Sequence, residues 1–143
     1  MSEDANVFRV FVETNVMVSA IVFPSSISRK MVMMASDEHE LVLCSYTISE
    51  IFRVIEKRFP EKIALVDEFL SSLKFELVYT PHDFSKYDVP EIRDDEDIPI
   101  LVSALIAEPD LFVTGDKDFL ESQIKNVLPV YSPGDFIRDF GYE

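Results

Sequence analysis

The stretch VFRVFVE, residues 7–13, predicts how the chain begins to fold. Its first six residues are β-branched or aromatic apart from Arg9, a composition that predicts a buried strand. Glu13 follows directly, and a carboxylate that abuts an apolar strand is costly to bury without a partner. We therefore expect Glu13 at the edge of a sheet, where its side chain faces a crevice.

Outward from this stretch, predicted strands and helices alternate along the chain. Further strands are predicted at residues 41–44, 75–80, 111–114 and 127–131. Helices are predicted at residues 26–36, 47–59, 61–72, 96–107, 116–123 and 133–140. This alternation implies right-handed crossovers between parallel strands. The sequence thus predicts one domain over residues 1–143, an α/β fold in three layers (α/β/α) with a central parallel sheet of about five strands.

Composition and charge narrow the class of function. The chain has 143 residues, and 13 basic residues face 27 acidic ones, for a net charge of −14. This charge argues against nonspecific nucleic-acid binding, which depends on Lys and Arg, and no apolar run reaches membrane-spanning length, so no membrane partner is expected. The single cysteine, Cys44, excludes an intrachain disulfide and fits a reducing compartment, so a cytoplasmic location is predicted.

Four acidic residues each follow a different predicted strand: Glu13, Glu50, Asp97 and Asp116. Because the carboxyl ends of parallel strands meet at a common crevice, we expect these side chains to come together there. Carboxylates at close range repel one another unless they share protons or a cation. Hard divalent cations prefer oxygen ligands, so the pattern predicts a site for Mg²⁺ or Mn²⁺.

Each of these acids also has a structural interpretation. Glu13 could be a loop carboxylate that accepts backbone N–H groups. Asp97 and Asp116 each lie at the start of a predicted helix, where acids cap the helix or favour its dipole. Taken singly, the structural interpretation is the stronger one for each residue. Their joint placement after successive strands is what favours a functional site.

Glu50 has the strongest structural interpretation of the four. Thr47-Ile48-Ser49-Glu50 matches a capping box, with Thr47 as the first residue of the helix signal. Arg53 shares the helix face of Glu50 and could form a surface pair with it. In the functional interpretation this face is the wall of a cleft, where Glu50 faces a metal while Arg53 and Lys57 face phosphates.

The segments around the acids resemble those of a known family, the PIN-domain ribonucleases. Residues 11–20, FVETNVMVSA, resemble the opening segment of the family, which ordinarily reads Asp-Thr-Asn before apolar residues. Glu50 and Asp97 resemble its second and third acids, and residues 114–119, TGDKDF, resemble its fourth-strand motif. Arg93-Asp94 is similar to the toxin-type, VapC-like subgroup. The resemblance covers residues 7 to about 131.

This resemblance implies a metal-dependent ribonuclease that hydrolyses RNA phosphodiester bonds as the toxin of a toxin–antitoxin pair. It implies RNA, an antitoxin protein and a second copy of the chain (a homodimer) as partners. The implied catalytic residues are Glu13, Glu50, Asp97 and Asp116, and the implied ligands of Mg²⁺ or Mn²⁺ are Glu13, Asp97, Asp116 and Asp118. Asn15 and Thr114 are expected to orient the carboxylates. The expected phosphate contacts are Arg53, Lys57, Arg58 and Lys117.

One residue departs from the family pattern, because Glu13 stands where the first acid is ordinarily aspartate. Glutamate keeps the charge and can still bind a metal. Its extra methylene displaces the carboxylate by about one bond length, and a displacement of that order can lower a rate roughly 10²-fold. The alternative hypothesis is therefore a degenerate PIN domain that binds RNA or a partner protein without cleavage.

Overall fold

The computed structural model describes residues 7–87, 97–116 and 128–141. Their strands are β1 (Arg9–Val12), β2 (Glu40–Cys44), β3 (Phe75–Val78), β4 (Leu111–Val113) and β5 (Val130–Tyr131). They form one sheet in the order β3-β2-β1-β4-β5, and every neighbouring pair is parallel. The predicted parallel α/β sheet is thus confirmed, with β1 at its centre.

The helices of the described residues connect these strands. They are α1 (Thr14–Val22), α2 (Ile27–Glu38), α3 (Ser45–Arg58), α4 (Ala64–Ser72), α5 (Ile98–Ala107) and α6 (Pro133–Phe140), and a 3₁₀ turn spans Pro60–Lys62. The helix predicted at residues 116–123 falls almost entirely outside the described residues. No single helix in the described ranges is long and apolar enough to cross a membrane; α1 and α2 together pass by length and composition, with a bend of 107° between them.

Side chains of alternate residues pack on opposite faces of the sheet. Val10 and Val12 of β1 join a core formed with α1, α2, α3, α4 and α6. Phe11 lies on the other face, where it packs with α5 and stacks on Phe112 of β4 at a centroid distance of 5.6 Å. This alternation follows from the two-residue period of a strand. Helices therefore cover both faces, which gives the predicted three layers.

The predicted capping box at Thr47 is wrong. Helix α3 begins at Ser45, and its N-cap, Cys44, makes no side-chain capping bond. The chain passes from β2 directly into the helix, so Thr47 lies within the first turn and is fully buried. Its Oγ1 accepts hydrogen bonds from Thr14 Oγ1 (3.3 Å) and Cys44 Sγ (3.4 Å). Glu50 consequently lies in the second turn of α3 and has no capping role.

Candidate active site

A cavity of about 190 Å³ lies beside the residues that follow β1 and β4. Strands β2 and β3 lie on one side of β1, whereas β4 and β5 lie on its other side. Ligands of open α/β sheets bind at such a switch point, outside the carboxyl ends of the strands. The cavity is lined by Glu13, Thr14, Asn15, Tyr46, Glu50, Val54, Asp97, Ile100 and Asp116. The structure therefore brings together the four acids singled out from the sequence.

Hydrogen bonds of both its main chain and its side chain fix Glu13 at the end of β1. Its backbone N–H donates to the carbonyl of Val113 (3.0 Å), which ties it to β4. Its Oε2 accepts the backbone N–H of Asn15 (3.0 Å), and its Oε1 accepts the hydroxyl of Thr114 (3.2 Å). The residue is only 3% exposed. Glu13 thus caps α1 and lines the cavity at the same time, so its structural and functional interpretations are compatible.

Burial raises the pKa of Glu13 from its ordinary value of 4.5 to about 7. The hydrogen bonds from Asn15 and Thr114 favour the carboxylate and lower its pKa, while the negative charges of Asp116 and Asp97 raise it. Without a counter-ion, Glu13 is therefore close to half protonated at neutral pH. A cation in the cavity would favour the ionised form, because an opposite charge nearby stabilises a carboxylate.

Thr114 connects two of the acids. It is fully buried after β4, and its backbone N–H donates to the carbonyl of Tyr131 (2.9 Å). Its Oγ1 donates to Glu13 and accepts the backbone N–H of Asp116 (3.0 Å). One hydroxyl therefore fixes both the Glu13 carboxylate and the backbone of Asp116. Asn15, in contrast, is exposed and contacts Glu13 through its backbone N–H.

Glu50 and Asp97 occupy the helices on either side of the cavity. Glu50 extends from α3 and pairs with Arg53 three residues later, which is the contact given by its structural interpretation. The Glu50 side chain is 17% exposed, whereas that of Arg53 is 62% exposed. Asp97 stands at the N-cap position of α5 but does not cap that helix through its side chain. Its Oδ2 atom is instead buried.

The lining residues fit a divalent cation by chemical type, since Mg²⁺ and Mn²⁺ prefer carboxylate oxygens. Within residues 7–87, 97–116 and 128–141, however, no three His, Cys, Asp or Glu side chains are placed so that they could hold one ion together. Among these carboxylates, Glu50 contacts Arg53, and Glu13 contacts Thr114 and the amide of Asn15. The predicted ligand Asp118 lies outside the described residues.

Some of the predicted phosphate contacts lie on α3. Lys57 follows Glu50 by seven residues, which places it on the same helix face about 10 Å further along the axis. Lys57 and Arg58 are both exposed, in the last turn of the helix. The side chain of Arg53 lies between them and Glu50 along the helix. Lys117, like Asp118, lies outside the described residues.

The sequence analysis did not identify four residues of the cavity wall. Tyr46 and Val54 stand four residues before and after Glu50, so they share its face of α3. Ile100 follows Asp97 by three residues and lies on the first turn of α5. Helical spacing from the two acids could have identified these three. Thr14 follows Glu13 directly and matches the threonine of the family's Asp-Thr-Asn motif, although its contact with Thr47 across the fold has no signal in the sequence.

Comparisons with known proteins agree with this architecture. A family model described as the PIN domain matches residues 9–118, well over half of the chain. Eighteen chains of solved structures are similar to this protein. One of them belongs to the crystal structure of VapBC2 from Rickettsia felis bound to a DNA fragment from the VapBC2 promoter. Its TM-score is 0.64 and its sequence identity 16%, and the match covers 87% of this chain and 98% of that chain. At this identity the likeness shows the fold. No curated protein sequence matches the chain.

Proposed function

Because the chain belongs to the PIN-domain family, we propose that it is a metal-dependent ribonuclease that hydrolyses RNA phosphodiester bonds. One observation carries the proposal: acids from four separate segments of the chain line a single cavity at the switch point of the sheet. Carboxylates crowded in this way raise the free energy of the folded chain unless protons or a cation offset their charge. Acids that served only as helix caps would not need to share a cavity.

In this proposal the acids of the cavity bind one or two Mg²⁺ or Mn²⁺ ions. Glu13, Asp97 and Asp116 would supply ligands, with Asp118 as a further one, and Glu50 would contribute its carboxylate from the opposite helix. When bound, such an ion lowers the pKa of a water molecule to provide the nucleophile and stabilises the charge that develops on the phosphate.

The neighbouring hydrogen bonds would keep these ligands oriented. The hydroxyl of Thr114 contacts both Glu13 and the backbone of Asp116, and the amide of Asn15 fixes the second oxygen of Glu13. Partners of this kind hold a ligand in one orientation and tune its affinity for the ion. Asn15 thus orients the Glu13 carboxylate through its backbone N–H.

Substrate binding would use the cations of α3, with Lys117. Arg53 is mostly exposed and pairs with Glu50 at the rim of the cavity. We propose that a phosphate of the RNA competes for the Arg53 guanidinium and so releases the Glu50 carboxylate toward the cavity. Lys57 lies further along the same face and would contact a neighbouring phosphate. A local cluster of basic residues of this kind would attract RNA phosphates even though the net charge of the chain is −14.

The direct test is cleavage of RNA by the purified chain with Mn²⁺, with Mg²⁺ and with EDTA. We expect cleavage with either ion and none in EDTA. Asp97→Asn keeps the side-chain volume but removes the charge, so it should lower the rate by roughly 10²-fold. Asp37→Asn, at an exposed position on α2, is the matched control and should cleave normally. Cleavage that persists in EDTA, or that is undiminished in Asp97→Asn, would contradict the proposal.

The second candidate function is binding of RNA or a partner protein without cleavage. Two observations favour it: Glu13 is longer than the family's usual aspartate and close to half protonated at neutral pH, and the described acids do not assemble a ligand set for one ion. In this case the chain would bind RNA without cutting it, with or without Mn²⁺.

The variant Glu13→Asp discriminates between the two candidates. Aspartate withdraws the carboxylate by one methylene and restores the family's usual residue at this position. If cleavage rises by roughly 10²-fold, the natural site is an active but poorly aligned nuclease. If the variant binds Mn²⁺ and still leaves RNA intact, the binding function is the better account. Measuring Mn²⁺ affinity and cleavage on the same preparation separates these outcomes.

The proposed partners and location follow from the same assignment. The fold similarity to VapBC2 supports an antitoxin partner and a role as the toxin of a toxin–antitoxin pair. Several large apolar side chains are exposed, among them Phe23 and Ile27 at 53% each and Tyr79 at 75%. We propose that an antitoxin, or a second copy in a homodimer, covers some of these side chains. We propose a cytoplasmic location for the complex.

A further inference from the structure

Three hydroxyl groups connect the helices that carry Glu50 and Asp97. The hydroxyl of Thr80, which follows β3, accepts the backbone N–H of Tyr46 (3.1 Å) and lies 2.8 Å from the hydroxyl of Ser103. Ser103 Oγ donates to the carbonyl of Pro99 (2.8 Å). The backbone N–H of Thr80 also donates to Ser45 Oγ (2.9 Å). These contacts join α3, the segment after β3, and α5.

The direction of this hydrogen-bond chain is determined by its hydrogens. A hydroxyl carries one hydrogen to donate and has two lone pairs that accept. Ser103 donates its hydrogen to Pro99, so Thr80 must donate to Ser103. The oxygen of Thr80 then accepts from Tyr46. The chain therefore runs from the amide of Tyr46 through Thr80 and Ser103 to the carbonyl of Pro99.

Each end of this chain lies close to a cavity acid. Tyr46 lies in the first turn of α3, one helical turn before Glu50. Pro99 lies in the first turn of α5, two residues after Asp97. Ser103 is fully buried, so its hydroxyl is removed from water and a missing partner there would be costly. The Thr80 hydroxyl thus connects the first turn of the helix that carries Glu50 to the helix that begins after Asp97.

We propose that Thr80 is a positioning residue, which keeps Glu50 and Asp97 facing the same cavity and thereby sets its affinity for a divalent cation. Thr80 does not line the cavity itself. It acts through Tyr46 on α3 and through Ser103 on α5. The proposal rests on the function proposed above, since positioning matters only if the cavity binds an ion.

The test compares Mn²⁺ affinity, measured without RNA from the electron spin resonance of the free ion, with kcat and KM for RNA cleavage. Thr80→Val keeps the shape of the side chain but removes both its donor and its acceptor. It should weaken Mn²⁺ binding about 10-fold, as is typical when a group that orients a ligand is lost, and it should lower kcat with little change in KM. Thr80→Ser restores the hydroxyl and should recover the wild-type affinity.

Ser36→Ala is the matched control. Ser36 is also a buried hydroxyl beside β3, and its Oγ accepts the backbone N–H of Lys74 (2.9 Å) at the opposite end of that strand. The loss of this bond should lower the temperature of unfolding and leave Mn²⁺ affinity unchanged. All variants are measured at a temperature at which they remain folded. If Thr80→Val does not fold, Ser103→Ala interrupts the same chain at its next hydroxyl and replaces it.

The outcomes separate this proposal from the function on which it rests. If the wild-type chain binds no Mn²⁺ and cuts no RNA, the proposed function and the role of Thr80 are both overturned. If the wild type binds Mn²⁺ but Thr80→Val binds it equally well, only the role of Thr80 is overturned. An equal loss of Mn²⁺ affinity in Ser36→Ala would also overturn it, because the effect would then come from general destabilisation.

Discussion

A single residue, Glu13, combines the requirements of the fold with those of the proposed chemistry. Its carboxylate caps α1 by accepting the Asn15 amide, while its burial beside Asp97 and Asp116 makes ionisation unfavourable. Without a cation, the folded chain therefore retains the proton of Glu13 up to a pH of about 7, well above the ordinary pKa of 4.5. An unfolded chain has no such preference and ionises the group at its ordinary pKa. This difference links the stability of the chain to pH.

We predict that the free energy of unfolding falls as pH rises from about 4.5 to about 7. In this interval the unfolded chain releases a proton from Glu13 that the folded chain retains, so the unfolded state gains stability. At about 1.4 kcal/mol for each pH unit, the loss between pKa values of 4.5 and about 7 reaches about 3 kcal/mol. The measurement is urea unfolding in EDTA at closely spaced pH values.

Glu13→Gln isolates this contribution, because the variant cannot ionise at that position. Its free energy of unfolding should decline less over the same interval, and above pH 7 the difference from wild type should be constant. Glu56→Gln removes one negative charge from an exposed position on α3 and should follow the wild-type curve. Parallel curves for wild type and Glu13→Gln would show that Glu13 ionises freely in the folded chain.

At the scale of secondary-structure elements, the sequence predicts those whose pattern has a clear period or boundary. Helix α6 lies at the predicted residues, between Pro133 and Phe140, and β1 and β2 lie within one or two residues of prediction. Helix α1 was not predicted. Seven of its nine residues are buried, so it has no polar face from which a helical period could be recognised. The helix begins after its N-cap, Glu13. The sequence pattern identifies Glu13 only as the residue that ends a strand.

The acids of the site could be predicted because each follows a strand, and parallel topology carries such positions to one edge. The hydroxyl chain could not be predicted in the same way. Thr80 and Ser103 are 23 residues apart, and no local pattern signals that their side chains meet. The capping box at Thr47 fails for a related reason, because the local motif ignores the contact of that hydroxyl with Thr14. Contacts between distant segments decide both cases.

At the scale of the whole molecule, the net charge of −14 opposes the approach of RNA. Charges on the far side are screened, since the Debye length is about 10 Å at 0.1 M salt. The local potential near the cavity then depends on the cations of α3, of which Lys57 and Arg58 are exposed in its last turn. Binding of RNA should therefore depend on where a lysine lies more than on the total charge.

We predict that Lys57→Ala lowers kcat/KM for RNA several-fold at low salt and decreases the slope of log(kcat/KM) against log[salt] by about 1, the change expected for one lost phosphate contact. The Mn²⁺ affinity measured without RNA should stay the same, because Lys57 does not line the cavity. Lys30→Ala removes the same charge from an exposed position on α2 and should leave the slope unchanged. Equal slopes for the two variants would mean that RNA responds to the overall charge of the molecule and that α3 is not its binding face.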